Sequence, residues 1–188
     1  AGLETEWTAL GSTVTGAAKP APPAGSSFTA VAQTSVTLAW GLGTNPADTQ
    51  FQVRASTASD FSGVDSFSAW LAAQTTTLSG LAADTTYHWR VTARNHSGME
   101  SEARDFGSQA TAPYEPAASS APFHDLGSSS ATVQWRPNGN PAGTFYEAQL
   151  ATSAAFGGEA LSSGWVAFLS TTVSGLTGDS TYYLRARA

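Results

Sequence analysis

Three stretches of the chain alternate apolar and polar residues with a period of two. Residues 35–40 place Val36, Leu38 and Trp40 on one face, residues 51–56 place Phe51, Val53 and Ala55 together, and residues 87–93 do the same with Tyr87, Trp89, Val91 and Ala93. That period belongs to a β-strand with one face buried. Turn-forming clusters separate the runs, among them GTNPADT at 43–49 and SGLAADTT at 79–86. Their spacing suits an all-β sandwich rather than strands alternating with helices. No window of helical length keeps an apolar face at 3.6 spacing, so the predicted fold class is all-β.

The pattern then recurs. Trp40 pairs with Trp135, 45–47 (Asn-Pro-Ala) with 140–142, Phe61 with Phe156, Trp70 with Trp165, Gly80 with Gly175, Leu81 with Leu176, Asp84 with Asp179 and Tyr87 with Tyr182, every pair 95 residues apart. The register runs without a gap from Phe28 and Phe123 to Ala93 and Ala188, with 24 identities in 66 positions. Two copies of one fold are expected.

Trp40 closing one strand, Phe51 opening the next, and Leu81 six residues before Tyr87 together resemble the fibronectin type III domain. In the second copy the same places hold Trp135, Tyr146, Leu176 and Tyr182. The resemblance implies two tandem immunoglobulin-like sandwiches with strand order A-B-C-C′-E-F-G, with Tyr87 opening strand F and Asn95 starting the F–G loop. A fold of this kind hosts many roles and names none of them. No Arg-Gly-Asp tripeptide occurs, so integrin binding is not implied.

Laid on this order, the first copy has its strand G near residues 101–111, and the second copy has none after strand F. A matching segment stands at the other end of the chain. Gly2, Glu4, Glu6, Gly11, Ser12 and Thr15 recur as Gly98, Glu100, Glu102, Gly107, Ser108 and Thr111, all 96 apart. The reading is therefore of a displaced strand G of a preceding repeat at 1–15, a proline-rich linker at 16–26, a first domain at 27–112, a linker at 113–121, and a second domain at 122–188 without its own strand G. Strand F of that second domain, carrying Tyr182, Leu184 and Ala186, would be an acceptor edge with unpaired N–H and C=O groups. Leu10, Ser12 and Val14 alternate on one face and match Phe106, Ser108 and Ala110, which makes them the assembly strand. Closure within one molecule is disfavoured by the extended linker. Two readings stay open: strand addition between separate copies, which grows a filament, or a 188-residue window on a longer array of repeats.

Composition narrows the partners. Eight Lys and Arg stand against fourteen Asp and Glu, a formal net charge of −6, and no basic stripe is present to neutralise phosphates, so nucleic acid is not expected. No apolar run reaches the length of a membrane span, so no membrane insertion is expected. Cysteine is absent, which leaves no disulfide scaffold and no thiolate metal site. Abundant Ser, Thr, Ala and Gly with a single lysine resemble a secreted bacterial surface protein, and an extracellular or cell-surface location is expected.

Candidate chemistry is sparse. His88, His96 and His124 stand in separate segments without ligand spacing, and Asp48, Asp60, Asp65 and Asp84 form no calcium-loop pattern. No phosphate loop or nucleophile elbow occurs. No metal, cofactor or catalytic residue is expected, and the chain is read as not an enzyme. Asn95, His96 and Ser97 form an N-x-S sequon. Trp7, Trp70 and Trp165 are the residues best able to stack on sugar rings, although large aromatics serve more often as packing. The expected function is a structural module of an extracellular fibre or surface array, joined to neighbouring repeats or other copies of itself through strand G. The alternative is a spacer or carbohydrate-binding accessory region of a larger secreted hydrolase or adhesin.

Overall fold

The computed structural model describes residues 2–63 and 65–188. By contact density the chain divides into two compact units, one of Ala1–Thr29, Thr37–Leu78 and His88–Ser108, the other of Ala30–Val36, Ser79–Tyr87 and Gln109–Ala188. All regular structure among the described residues is β. The first copy contains β1 (Phe28–Val31), β2 (Ser35–Ala39), β3 (Gln50–Ser56), β4 (Asp65–Phe67), β5 (Thr75–Ser79), β6 (Thr86–Arg94) and β7 (Arg104–Ala110). One sheet runs β1-β2-β5 and the other β4-β3-β6-β7. The second copy contains β8 (Ala117–His124), β9 (Ser130–Arg136), β10 (Tyr146–Ala151), β11 (Leu161–Val166), β12 (Ser170–Ser174) and β13 (Tyr183–Arg187). Its sheets run β12-β9-β8 and β11-β10-β13.

The alternation read from the sequence is the alternation of burial. In β3 and β6 the registered pairs Phe51 with Ala93, Val53 with Val91 and Ala55 with Trp89 point inward, and all six side chains are fully buried. The second copy repeats this register, with Ala148 opposite Ala186 and Leu150 opposite Leu184. Trp40 packs on Phe51, and Trp135 on Tyr146, each with ring centroids 5.8 Å apart. Apolar residues brought together this way supply the main drive to fold.

Turn chemistry repeats as faithfully as the core. Gly80 and Gly175 have φ of 78° and 85°, a conformation that glycine adopts without a Cβ penalty. Asp84 and Asp179 follow at φ of 44° and 53°, in the left-handed region that Asp tolerates. Just beyond each turn a tyrosine pins the loop: Ala82 N donates to Tyr87 Oη at 3.0 Å and Thr177 N to Tyr182 Oη at 2.9 Å.

The segments read as linkers are fastened to the sandwiches that follow them. β8 opens at Ala117, inside the stretch 113–121, with Ala117 opposite Arg136 and Ala118 opposite Trp135. Ninety-six residues earlier, Ala21 bridges Gly41. Upstream of each contact a buried asparagine grips the chain. Asn45 donates to Ala18 O at 2.8 Å and accepts from Ala18 N at 2.7 Å, and Asn140 makes the same pair with Tyr114 at 2.8 and 2.7 Å. Small residues hid these strands from the hydrophobic pattern, because Ala and Ser carry little apolar signal.

Candidate functional site

The two F-strand edges differ in one respect. In the first copy β6 lies between β3 and β7. Ser101 N donates to Ala93 O at 2.8 Å, Ala93 N donates to Ser101 Oγ at 3.1 Å, and Thr111 N donates to Thr85 O at 3.1 Å. Tyr87 is 4% exposed and Trp89, Val91 and Ala93 are 0% exposed. In the second copy β13 pairs with β10 on one side, and no strand among the described residues lies on the other. Tyr182, Leu184, Ala186 and Ala188 pack on the core of Val133, Trp135, Tyr146, Ala148, Leu150 and Val173, yet they remain only partly buried. A groove of about 370 Å³ follows this edge, lined by Pro116, Phe123, Trp135, Tyr182, Leu184 and Ala186 among others. The structure thus brings Tyr182, Leu184 and Ala186 together at a wet margin of the core. Unpaired backbone groups beside apolar side chains are a template for another strand.

The same comparison holds at the end of the sandwich. In the first copy Thr111 closes it: its hydroxyl donates to Ala82 O at 2.6 Å and accepts from Thr85 N at 3.1 Å. The next residue continues the seal, with Ala112 N donating to Ala32 O at 3.1 Å and Asp84 N donating to Ala112 O at 3.2 Å. In the second copy the corresponding place is a cavity of about 370 Å³, lined by Phe123, Gly127, Leu176, Thr177, Asp179 and Ser180 among others. The sequence reading missed this feature. Its signal was present, because Thr15 and Thr111 recur identically within a segment where most neighbours differ.

The N-terminal segment lies outside every strand of the described chain. Leu10 is 96% exposed, Val14 is 49% exposed and Ser12 is exposed beside them. Leu3 and Trp7 are also fully exposed. As the segment nears the first sandwich it is tied down: Asn95 Nδ2 donates to Thr15 O at 2.7 Å, and Arg104 Nε donates to Pro20 O. Leu10, Ser12 and Val14 make no ladder with β13, so within residues 2–188 the assembly strand and the acceptor edge are not brought together.

Trp70 and Trp165 share a repeat position and a partner type. Arg94 stacks on Trp70 at 4.4 Å and Arg187 on Trp165 at 5.1 Å, and Arg90 and Arg185 stack on Phe61 and Phe156 at 4.0 and 4.3 Å. A guanidinium over the ring is a stabilising contact in its own right, and it occupies a face that a sugar would need. Glu147 joins this surface, accepting from Ser162 Oγ at 2.6 Å and Arg187 Nε at 2.8 Å. The Ser162 hydroxyl first, and the Arg187 guanidinium second, hold its carboxyl below the usual carboxylate range. His96 lies 3.0 Å from Asp48 and His124 2.8 Å from Asp125. Among the described residues no group of three metal-ligating side chains occurs, and no helix is long and apolar enough to cross a membrane.

Comparison with known proteins agrees with this geometry. A family model of the fibronectin type III domain matches residues 21–106. Among solved structures, a two-domain fibronectin type III segment of chicken tenascin has a TM-score of 0.53 at 18% identity, covering 85% of this chain and 86% of that one. No curated protein matches the chain. Residues 21–106 thus match the fibronectin type III domain, the downstream residues repeat their sequence and strand order, and the likeness to the tenascin segment gives the chain the fold of tandem fibronectin type III domains.

Proposed function

We propose that this chain is a structural module of an extracellular fibre or surface array, in which segment 2–15 of one repeat serves as strand G for the sheet β11-β10-β13 of a neighbouring repeat. One observation carries the reading. The sheet that ends at β7 in the first copy ends at β13 in the second, while a segment resembling β7 and its flanks stands, exposed, 96 residues earlier. Leu10, Ser12 and Val14 would lie along Tyr182, Leu184 and Ala186, covering the groove and pairing the edge by strand addition. A contact of this head-to-tail kind does not close on itself and propagates. Domains of this family are typically non-catalytic structural modules, and secreted proteins commonly contain them.

Light scattering and negative-stain microscopy of the purified chain test the reading. Concentration-dependent rods or polymers are expected, and deletion of residues 1–15 should leave monomers near the mass of one chain. Polymers that persist after the deletion would overturn strand donation. The mass of the native material separates copies joined without covalent bonds, near 19.3 kDa after denaturation, from a longer polypeptide of the same repeats.

A further inference from the structure

Residues 111–115 carry the chain from the first copy into the second, and hydrogen bonds anchor all of them except Pro113. Thr111 and Ala112 are held by the first copy. The Thr111 hydroxyl donates to Ala82 O at 2.6 Å, Ala112 N donates to Ala32 O at 3.1 Å, and Ala112 O accepts from Asp84 N at 3.2 Å. Tyr114 and Glu115 are held by the second copy, through Asn140 on both backbone groups of Tyr114 and through Asn138 Nδ2, which donates to Glu115 O at 2.9 Å. All of these residues lie in one compact unit, which takes in Ala30–Val36 and Ser79–Tyr87 together with Gln109–Ala188.

A peptide group is planar, so a chain turns only at φ and ψ. The bonds of Ala112 N and O fix the peptide planes on either side of that residue, and the bonds of Tyr114 N and O do the same for its own. Pro113 stands between the two, and its ring locks φ. The soft torsion between the anchored planes is therefore ψ of Pro113. A connection that turns about one axis is held by a contact lying off that axis.

Such a contact is present. The Thr144 hydroxyl, in the loop before β10, lies 2.6 Å from Asp84 Oδ2, in the turn before β6, and 3.0 Å from Pro141 O of its own loop. The shorter contact has the length of a charge-assisted bond, about 2.5–2.7 Å, and bonds of that kind are roughly twice as strong as neutral ones. The hydroxyl proton thus goes to the carboxylate. Thr144 is 4% exposed, which shelters the bond from water. Asp84 serves twice, its amide holding Ala112 and its carboxylate holding Thr144.

We infer that the connection between the copies is a one-axis joint locked by Thr144 and Asp84, so that residues 79–87 and the second sandwich move as one body. Both are positioning residues, and they act by closing the rotation that Pro113 leaves open. The joint lies within a single chain and does not require strand sharing between copies.

Residual dipolar couplings of backbone amides in the dilute full-length chain test the lock. Couplings from residues 30–36 and 79–87 and couplings from β9, β10 and β12 should fit one alignment tensor. Thr144→Val removes the hydroxyl at similar volume, and Asp84→Gly removes the carboxylate from a residue at φ of 44°, which glycine adopts freely. Loss of a charge-assisted bond should raise the population of rotated joints about 10- to 100-fold, and the two sets of couplings should then need separate tensors. Each set must still fit a tensor of its own, which shows that both folds persist, and Thr144→Ser should keep the single fit. Separate tensors in the parent chain would overturn the joint. A single tensor that survives both substitutions would overturn the assignment of the lock to Thr144 and Asp84.

Discussion

Trp89 and Leu184 occupy the same repeat position, and β7 lies beside the strand of Trp89 whereas no strand among the described residues lies on that side of β13. Trp89 is 0% exposed, whereas Leu184 is partly buried on a core that is otherwise equivalent. Truncation should register that difference. Leu38→Ala, in the closed first sandwich, is expected to cost about 2–5 kcal/mol in urea unfolding. Leu184→Ala should cost less than half as much in dilute protein, and the gap should narrow at concentrations where copies associate. A second residue-scale prediction concerns Glu147. Its carboxyl is depressed by Ser162 and then Arg187, so the stability it contributes is present above the unfolded carboxylate pKa, about 4.3, and is lost as pH falls through the lower folded value. Carboxyl titration by NMR should place Glu147 below an ordinary glutamate, and Ser162→Ala should move it back up. An unchanged value in that variant would assign the effect to Arg187 alone.

At the scale of elements, the repeat made most of the fold legible before any coordinates. The alternation through Val36, Leu38, Phe51, Val53, Trp89 and Val91 is the burial alternation of β2, β3 and β6. Glycine and aspartate at 80 and 84 mark a turn because their backbone conformation excludes most other residues there. The packing of Tyr182, Leu184 and Ala186 on the second core was legible too, since it followed from the repeat. What the sequence concealed were contacts made by residues with weak patterns of their own. β8 begins among Ala and Ser, and the asparagine clamps join positions 26 and 27 residues apart. The threonine plug depends on hydroxyl geometry that periodicity does not encode. The clamps carry a prediction of their own. Asn45→Ala removes both bonds to Ala18 and a third to Leu42 O at 2.7 Å. At about 0.5–1.5 kcal/mol each, it should destabilise the first domain measurably and release the Ala18 amide to rapid exchange. Slow exchange at Ala18 in the variant would mean that Pro20 and Ala21 hold the segment unaided.

For the whole molecule, the described residues hold two copies of one repeat, 95 residues apart. Under the proposed strand sharing each copy would contribute a donor strand and an acceptor edge, held by backbone pairing and burial, since the given sequence has no cysteine for a disulfide. Mixing the full chain with a synthetic peptide of residues 2–20 should cap acceptor edges and shorten any polymers, and a scrambled peptide should not. The most direct measurement is amide exchange along β13. In the first copy Ala93 N donates to Ser101 Oγ, just upstream of β7, and the alternation of an antiparallel ladder turns the amides of Leu184 and Ala186 toward the open side of β13. These amides should be protected in concentrated full-length protein and should lose protection both on dilution and on deletion of residues 1–15. Protection unchanged by either, or absent at every concentration, would contradict the claim that the second sandwich is completed by the leading segment of a neighbouring repeat.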